Sequence, residues 1–150
     1  MANVVPYAFP VELLTGTHNF SNGGNTFKLA LYTASPYTTA STAYVTTSEV
    51  SSAGGSQYGA GGNTLTGQQL TNINNVATVD FAQTVWGTPT AATFTAAFGA
   101  IYNSTQSDKL VVILDFGGDK SCSNGTFTIT FPDPTTGTPA GTDAILSITS

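Results

Sequence analysis

Thr126-Phe127-Thr128-Ile129-Thr130-Phe131 alternates hydroxyl-bearing and large apolar side chains without interruption. Successive side chains of a strand point to opposite faces, so this run reads as a half-buried strand with Thr towards water and Phe and Ile towards a core. The same period recurs upstream. In Phe27-Lys28-Leu29-Ala30-Leu31-Tyr32-Thr33, the residues Phe27, Leu29 and Leu31 share a face. Residues 76–82 set Val79 and Phe81 against Thr78 and Asp80, and residues 93–102 space Phe94, Phe98 and Tyr102 among small residues. Residues 109–116 are apolar on both faces (Leu110, Val111, Val112, Ile113, Leu114), the pattern of a central strand covered on two sides. Residues 144–149 supply a last strand, and residues 65–73 have room for one or two short ones.

Turn chemistry separates these pieces: Gly54-Gly55, residues 59–63, Trp86-Gly87-Thr88-Pro89, residues 103–108, Gly117-Gly118-Asp119 and Pro132-Asp133-Pro134. About seven to nine mostly antiparallel strands at this spacing predict an all-β single domain over residues 25–150, a β-sandwich or jelly roll. Residues 1–24 read differently. They carry Pro6, Pro10, Gly16 and Gly23-Gly24, with at most one helical turn near residues 11–14, and are expected to form an N-terminal arm. The arm's apolar residues Tyr7, Phe9, Leu13, Leu14 and Phe20 would not stay in water on a solitary monomer. Residues 33–56 are a long excursion rich in Thr, Ser and Ala, in which Thr46-Thr47-Ser48-Glu49 fits a capping box and predicts a short helix.

Composition narrows the function. Of 150 residues only 7% are charged, against about 25% in ordinary domains. A net charge of −5 with three lysines and no arginine excludes a basic stripe for nucleic acid. The chain is long enough to bury about 70% of its unfolded surface. No apolar run reaches the roughly 18 residues that a membrane helix needs, so no membrane partner is expected. The single Cys122, in a Gly/Ser turn, permits no intrachain disulfide. The start of the chain lacks a basic and then apolar leader pattern, which points to synthesis in a cytosol.

Several short motifs run in an order that resembles a family of small structural proteins of tailed bacteriophages. They are Leu13-Leu14-Thr15-Gly16-Thr17-His18-Asn19-Phe20, Thr26-Phe27-Lys28-Leu29-Ala30-Leu31-Tyr32-Thr33, Thr42-Ala43-Tyr44-Val45-Thr46-Thr47-Ser48-Glu49-Val50 and Gly61-Gly62-Asn63-Thr64-Leu65-Thr66. Asp80-Phe81-Ala82, Trp86, Thr93-Phe94-Thr95-Ala96, Ile101-Tyr102-Asn103, Leu114-Asp115-Phe116-Gly117 and Gly125-Thr126-Phe127-Thr128-Ile129 follow. The resemblance spans most of the chain from Val11 onward. It implies a virion component made in the bacterial cytoplasm, a decoration or cement protein on the outer surface of the head. Its implied partners are the major capsid protein lattice and further copies of itself. A tail, neck or fibre subunit and a glycan-binding adhesion module, with Trp86 and Tyr102 to stack on sugar, are the alternative readings.

The candidate chemical motifs have plainer explanations. Asp115-Phe116-Gly117 spells the kinase magnesium motif, yet the other kinase elements are absent. Asp115 and Asp119, with Asp108 or Asp133, would supply too few oxygens in no dedicated loop for calcium, which takes six to eight. The lone His18 has no Gly-x-Ser-x-Gly elbow to serve. The glycine cluster at residues 54–62 lacks the Lys-Ser/Thr of a phosphate loop. No catalytic, metal or cofactor residue is assigned and no cofactor is expected. The candidate interface residues are Tyr7, Phe9, Leu13, Leu14, His18 and Phe20 of the arm, with Tyr37 and Tyr44 of the excursion, since aromatics are enriched in interface cores.

Overall fold

The computed structural model describes residues 2–135 and 144–149. Within them lie one short helix, α1 (Ala8–Leu14), and nine strands. The strands are β1 (Phe27–Tyr32), β2 (Asn63–Thr64), β3 (Gln69–Ile73), β4 (Val76–Asp80), β5 (Thr84–Trp86), β6 (Ala92–Asn103), β7 (Lys109–Gly125), β8 (Phe127–Ile129) and β9 (Leu146–Thr149). All pairings between strands are antiparallel, in sheets of order β2-β1-β6-β7, β3-β4-β9 and β5-β8. The chain is all-β, as its alternating segments predict.

The four-stranded sheet is covered on both faces, and the period of two sorts its residues. Phe27, Leu29, Leu31 and Ile101 enter a large cluster with Phe20, Phe81, Trp86, Phe94 and Phe127. Ala30, Tyr32, Ala100, Tyr102, Leu110 and Ile113 enter a second cluster with Tyr37. Val111 and Val112, though adjacent, both join the large cluster. The cause is a bulge: Tyr102 opposes Leu110 while Ile101 opposes Val112, so the ladder skips Val111.

A larger irregularity replaces the turn expected at Gly117-Gly118-Asp119. Phe98 pairs with Asp115 and Ala96 with Lys120, so residues 116–119 bow out of one continuous strand. Gly117 and Gly118 take φ of 71° and 124°, values that favour glycine. β7 therefore runs for 17 residues, and its outer part brings Cys122 against Phe94. Cys122 lies buried there, its Sγ 3.8 Å from the Phe94 carbonyl, rather than in a turn.

Local chemistry fixes the other joints. Ile73 pairs with Val76 across Asn74-Asn75, both at positive φ, the two-residue hairpin loop whose twist matches its strands. Gly62 sits so close to β1 that a Cβ would lie 1.8 Å from the Leu29 carbonyl oxygen, which only glycine permits. The capping box does not start a helix. Ser48 turns at φ 59°, and Glu49-Val50 instead extend the sheet beside β1, with Glu49 bridging Tyr32 and the Val50 amide bonded to the Leu31 carbonyl.

Residues 2–24, expected as an arm, are packed onto the domain. Val4 exchanges both backbone hydrogen bonds with Ile113, the Tyr7 amide donates to the Thr39 carbonyl, and the Asp115 amide donates to the Asn3 side chain. Pro10 falls in the first turn of α1, where its missing N–H is tolerated. The helix closes when the Thr17 amide bonds the Glu12 carbonyl and the Gly16 amide that of Leu13, with Gly16 at φ 74°. That is the Schellman arrangement, and it turns His18 and Phe20 back towards the core. Phe20 then stacks on Phe27 at 4.5 Å between ring centroids.

Candidate interaction surface

The eight candidate interface residues separate into three groups. Phe9, His18, Phe20 and Tyr37 are buried within the chain's own fold, so they are not outward anchors. Leu13 and Tyr44 are half-buried: Leu13 packs on the large cluster, and Tyr44 stacks on Tyr102 with centroids 4.6 Å apart. Only Tyr7, 72% exposed, and Leu14, 90% exposed, face solvent. Tyr37 and Tyr44 belong to the second cluster, on the other face of the four-stranded sheet from Phe9 and Phe20. Trp86 and Tyr102, the sugar-stacking candidates, are both buried, and Tyr102 donates to the Gly61 carbonyl at 2.7 Å.

The surface that does form combines α1 with the three-stranded sheet. Tyr7, Val11 and Leu14 stand at positions i, i+4 and i+7, one outward ridge of the helix. On the inner side Phe9, Pro10 and Leu13 form one wall of a groove of about 540 Å³. Its opposite wall is Leu70, Ala77, Val79, Leu146 and Ile148 from β3, β4 and β9. Those residues share one sheet face by register: Leu70 opposes Val79, Val79 opposes Leu146, and Ala77 opposes Ile148. Val5, Val11, Leu70 and Ile148 escaped the sequence reading. Val11 had a signal, its helical spacing from Tyr7 and Leu14. The other three did not, because which face of β3 and β9 stays open depends on what the rest of the chain covers.

Under the groove lies a closed polar network. Glu12 accepts from Lys109 Nζ at 2.6 Å and from His18 Nε2 at 3.0 Å. His18 Nδ1 receives a hydrogen bond from Asn103 Nδ2 at 3.0 Å, and the same Asn103 nitrogen reaches Asn25 Oδ1 at 2.9 Å. The Thr105 amide donates to Asn103 Oδ1, which fixes the amide's orientation and so leaves the His18 proton on Nε2. Phe9 and Phe20 flank the imidazole at 5.1 and 6.1 Å. Burial works to raise the Glu12 carboxyl, but the hydrogen bonds from Lys109 and His18, joined by the Lys109 charge, outweigh it and hold the group below its ordinary value. Both imidazole nitrogens are occupied by this network, whose geometry ties α1 to β6 and β7 and holds no nucleophile.

A second carboxylate lies in the long excursion. Glu49 accepts from the Tyr44 hydroxyl at 2.6 Å, the Tyr58 hydroxyl at 2.7 Å and the Gly61 amide at 2.6 Å. Tyr58 OH in turn accepts from the Leu31 amide, and Tyr32 and Tyr37 share a hydroxyl contact of 2.6 Å. Burial, joined by the Glu49 charge, pushes the Tyr44 and Tyr58 phenols well up. Among the described residues no three His, Cys, Asp or Glu side chains gather as a metal site would require. Comparison with known protein families, curated proteins and solved structures finds no match for this chain.

Proposed function

We propose that this chain is a non-enzymatic structural subunit of a tailed-bacteriophage virion, a decoration or cement protein on the outer surface of the head. Its sheets are read as the layers of a β-sandwich, a rigid body on which a contact face is mounted. The observation that carries the reading is the apolar face around α1. Six of the seven exposed large hydrophobic side chains among the described residues, Val5, Tyr7, Val11, Leu14, Leu70 and Ile148, belong to the ridge and groove. Concentration of exposed apolar residues on one face marks an assembly contact, with the shell or with a further copy of the chain. The only charged side chain of α1, Glu12, is satisfied internally by Lys109 and His18.

A subunit that binds only the assembled shell stabilises it by mass action, in proportion to RT ln(1 + [L]/Kd). The order of sequence motifs shared with phage structural proteins supports the virion setting, and the absence of arginine supports the outside of the shell rather than contact with packaged DNA. The burial of Trp86 and Tyr102 leaves the glycan-stacking alternative without its residues. The test is co-sedimentation of purified protein with heads stripped of accessory proteins. Saturable binding that raises the temperature of head disruption supports the reading. Binding to tails alone, or to neither, overturns it.

A further inference from the structure

The apolar face carries both a convex and a concave element, and the two fit one another. Around the helix axis the 100° step per residue places Pro10 between Leu13 and Leu14, so the outward ridge of Tyr7, Val11 and Leu14 passes directly into the groove wall of Pro10 and Leu13. We propose that the occupant of the groove is the α1 ridge of a second copy of this chain, in a closed two-fold dimer. This rests on the reading of this face as an assembly contact. In a two-fold contact the same patch meets itself, so each ridge enters the other copy's groove and both apolar elements are covered at once.

Two further observations favour a second copy over a different partner. The first is charge. Each chain carries a net charge of −5, yet no ridge or groove-lining residue is Asp, Glu, Lys or Arg. Glu12, beneath the groove, is paired with Lys109 and His18. Two such faces meet without apposing like charges, whereas a charged partner surface would lose solvation with nothing to pair against. The second is concentration. Six of the seven exposed large hydrophobic side chains among the described residues belong to this one ridge and groove, whereas exposed apolar residues on a solitary monomer are ordinarily scattered singly.

Sedimentation velocity across a wide concentration range, joined to thermal melts, tests the dimer. The wild-type chain is expected to sediment as a dimer. Leu14→Glu on the ridge and Leu70→Glu on the groove wall are each expected to weaken it by about a hundredfold or more, while Val45→Glu, at the one exposed large hydrophobic off this face among the described residues, leaves it intact. All three sites are exposed, so melting of the monomer should be preserved. Mixing Leu14→Cys with Leu70→Cys protein under oxidation should give crossed disulfide dimers. A wild-type monomer at every concentration, an open-ended oligomer, or a dimer indifferent to both Glu variants overturns the proposal. A monomer that still binds stripped heads would sink the dimer while leaving the decoration role standing, and a dimer that ignores heads would do the reverse.

Discussion

Two carboxylates, Glu12 and Glu49, each gather an irregular stretch of chain onto the four-stranded sheet, with opposite kinds of partner. Glu49 collects neutral donors, two tyrosine hydroxyls and a backbone amide, and fastens residues 33–62. Glu12 collects a lysine and a histidine and fastens the N-terminal segment. Hydrogen bonds to a charged group are stronger than neutral ones, and a buried donor left alone costs the desolvation of its polar group. The Glu49 knot should therefore be the costlier to cut, since Tyr58 has no water to turn to. Lys109, with its side chain 37% exposed, does.

The sharpest break is Glu49→Ala. It strands the Tyr58 hydroxyl and the Gly61 amide and should lower the unfolding free energy by about 3–5 kcal/mol in urea denaturation. A loss under about 1 kcal/mol would mean that these donors find water, and the contrast between the two carboxylates would collapse. Next comes Glu12→Ala, with an expected cost of about 1–3 kcal/mol, mostly from the buried His18 Nε2–H. Its effect should stay local. Hydrogen exchange should quicken at the Val4 and Tyr7 amides and leave those of β6 and β7 protected; equal loss in both places would show that the segment does not open as a separate unit.

The third test uses pH. The Glu12 carboxyl is held below its ordinary 4.5 when folded, so its contribution is complete above pH 4.5 and disappears as pH falls through the lower folded value. The stability difference between wild type and Glu12→Gln should accordingly shrink below pH 4.5, and added salt should trim it by a few tenths of a kcal/mol at neutral pH. A difference that is constant across acid pH would remove the ionic character assigned to this site.

The strands were legible because burial imposes a period that the sequence has to carry. Phe27, Leu29 and Leu31 face one cluster and Ala30 and Tyr32 the other, and the apolar run at Leu110 to Leu114 lies in a sheet covered on both faces. Three things were not legible, each for a physical reason. Thr46-Thr47-Ser48-Glu49 has the letters of a helix start, but the Glu49 carboxylate is held by Tyr44, Tyr58 and Gly61, partners that no periodic pattern announces. Gly117-Gly118 has the letters of a turn, and whether such a pair reverses a strand or bows it depends on β6 continuing alongside. The first 24 residues look detachable because their apolar residues follow no strand period. Only the closed α1 terminus shows that Phe9 and Phe20 point inward while Tyr7 and Leu14 point out. Half of the candidate residues in that segment, Phe9, His18 and Phe20, are buried in the chain's own fold, since an apolar residue in an irregular segment serves a core as readily as a partner.

Val4 has one more consequence. β7 is the border strand of its sheet, and its open rim is where a foreign strand would zip on. Val4 fills that place with both of its backbone bonds to Ile113, while Asn3 caps the Asp115 amide next to it. The chain thus hems its own fabric. Molecules crowded shoulder to shoulder can press their apolar faces together while this stretch of the seam stays shut against fibre growth.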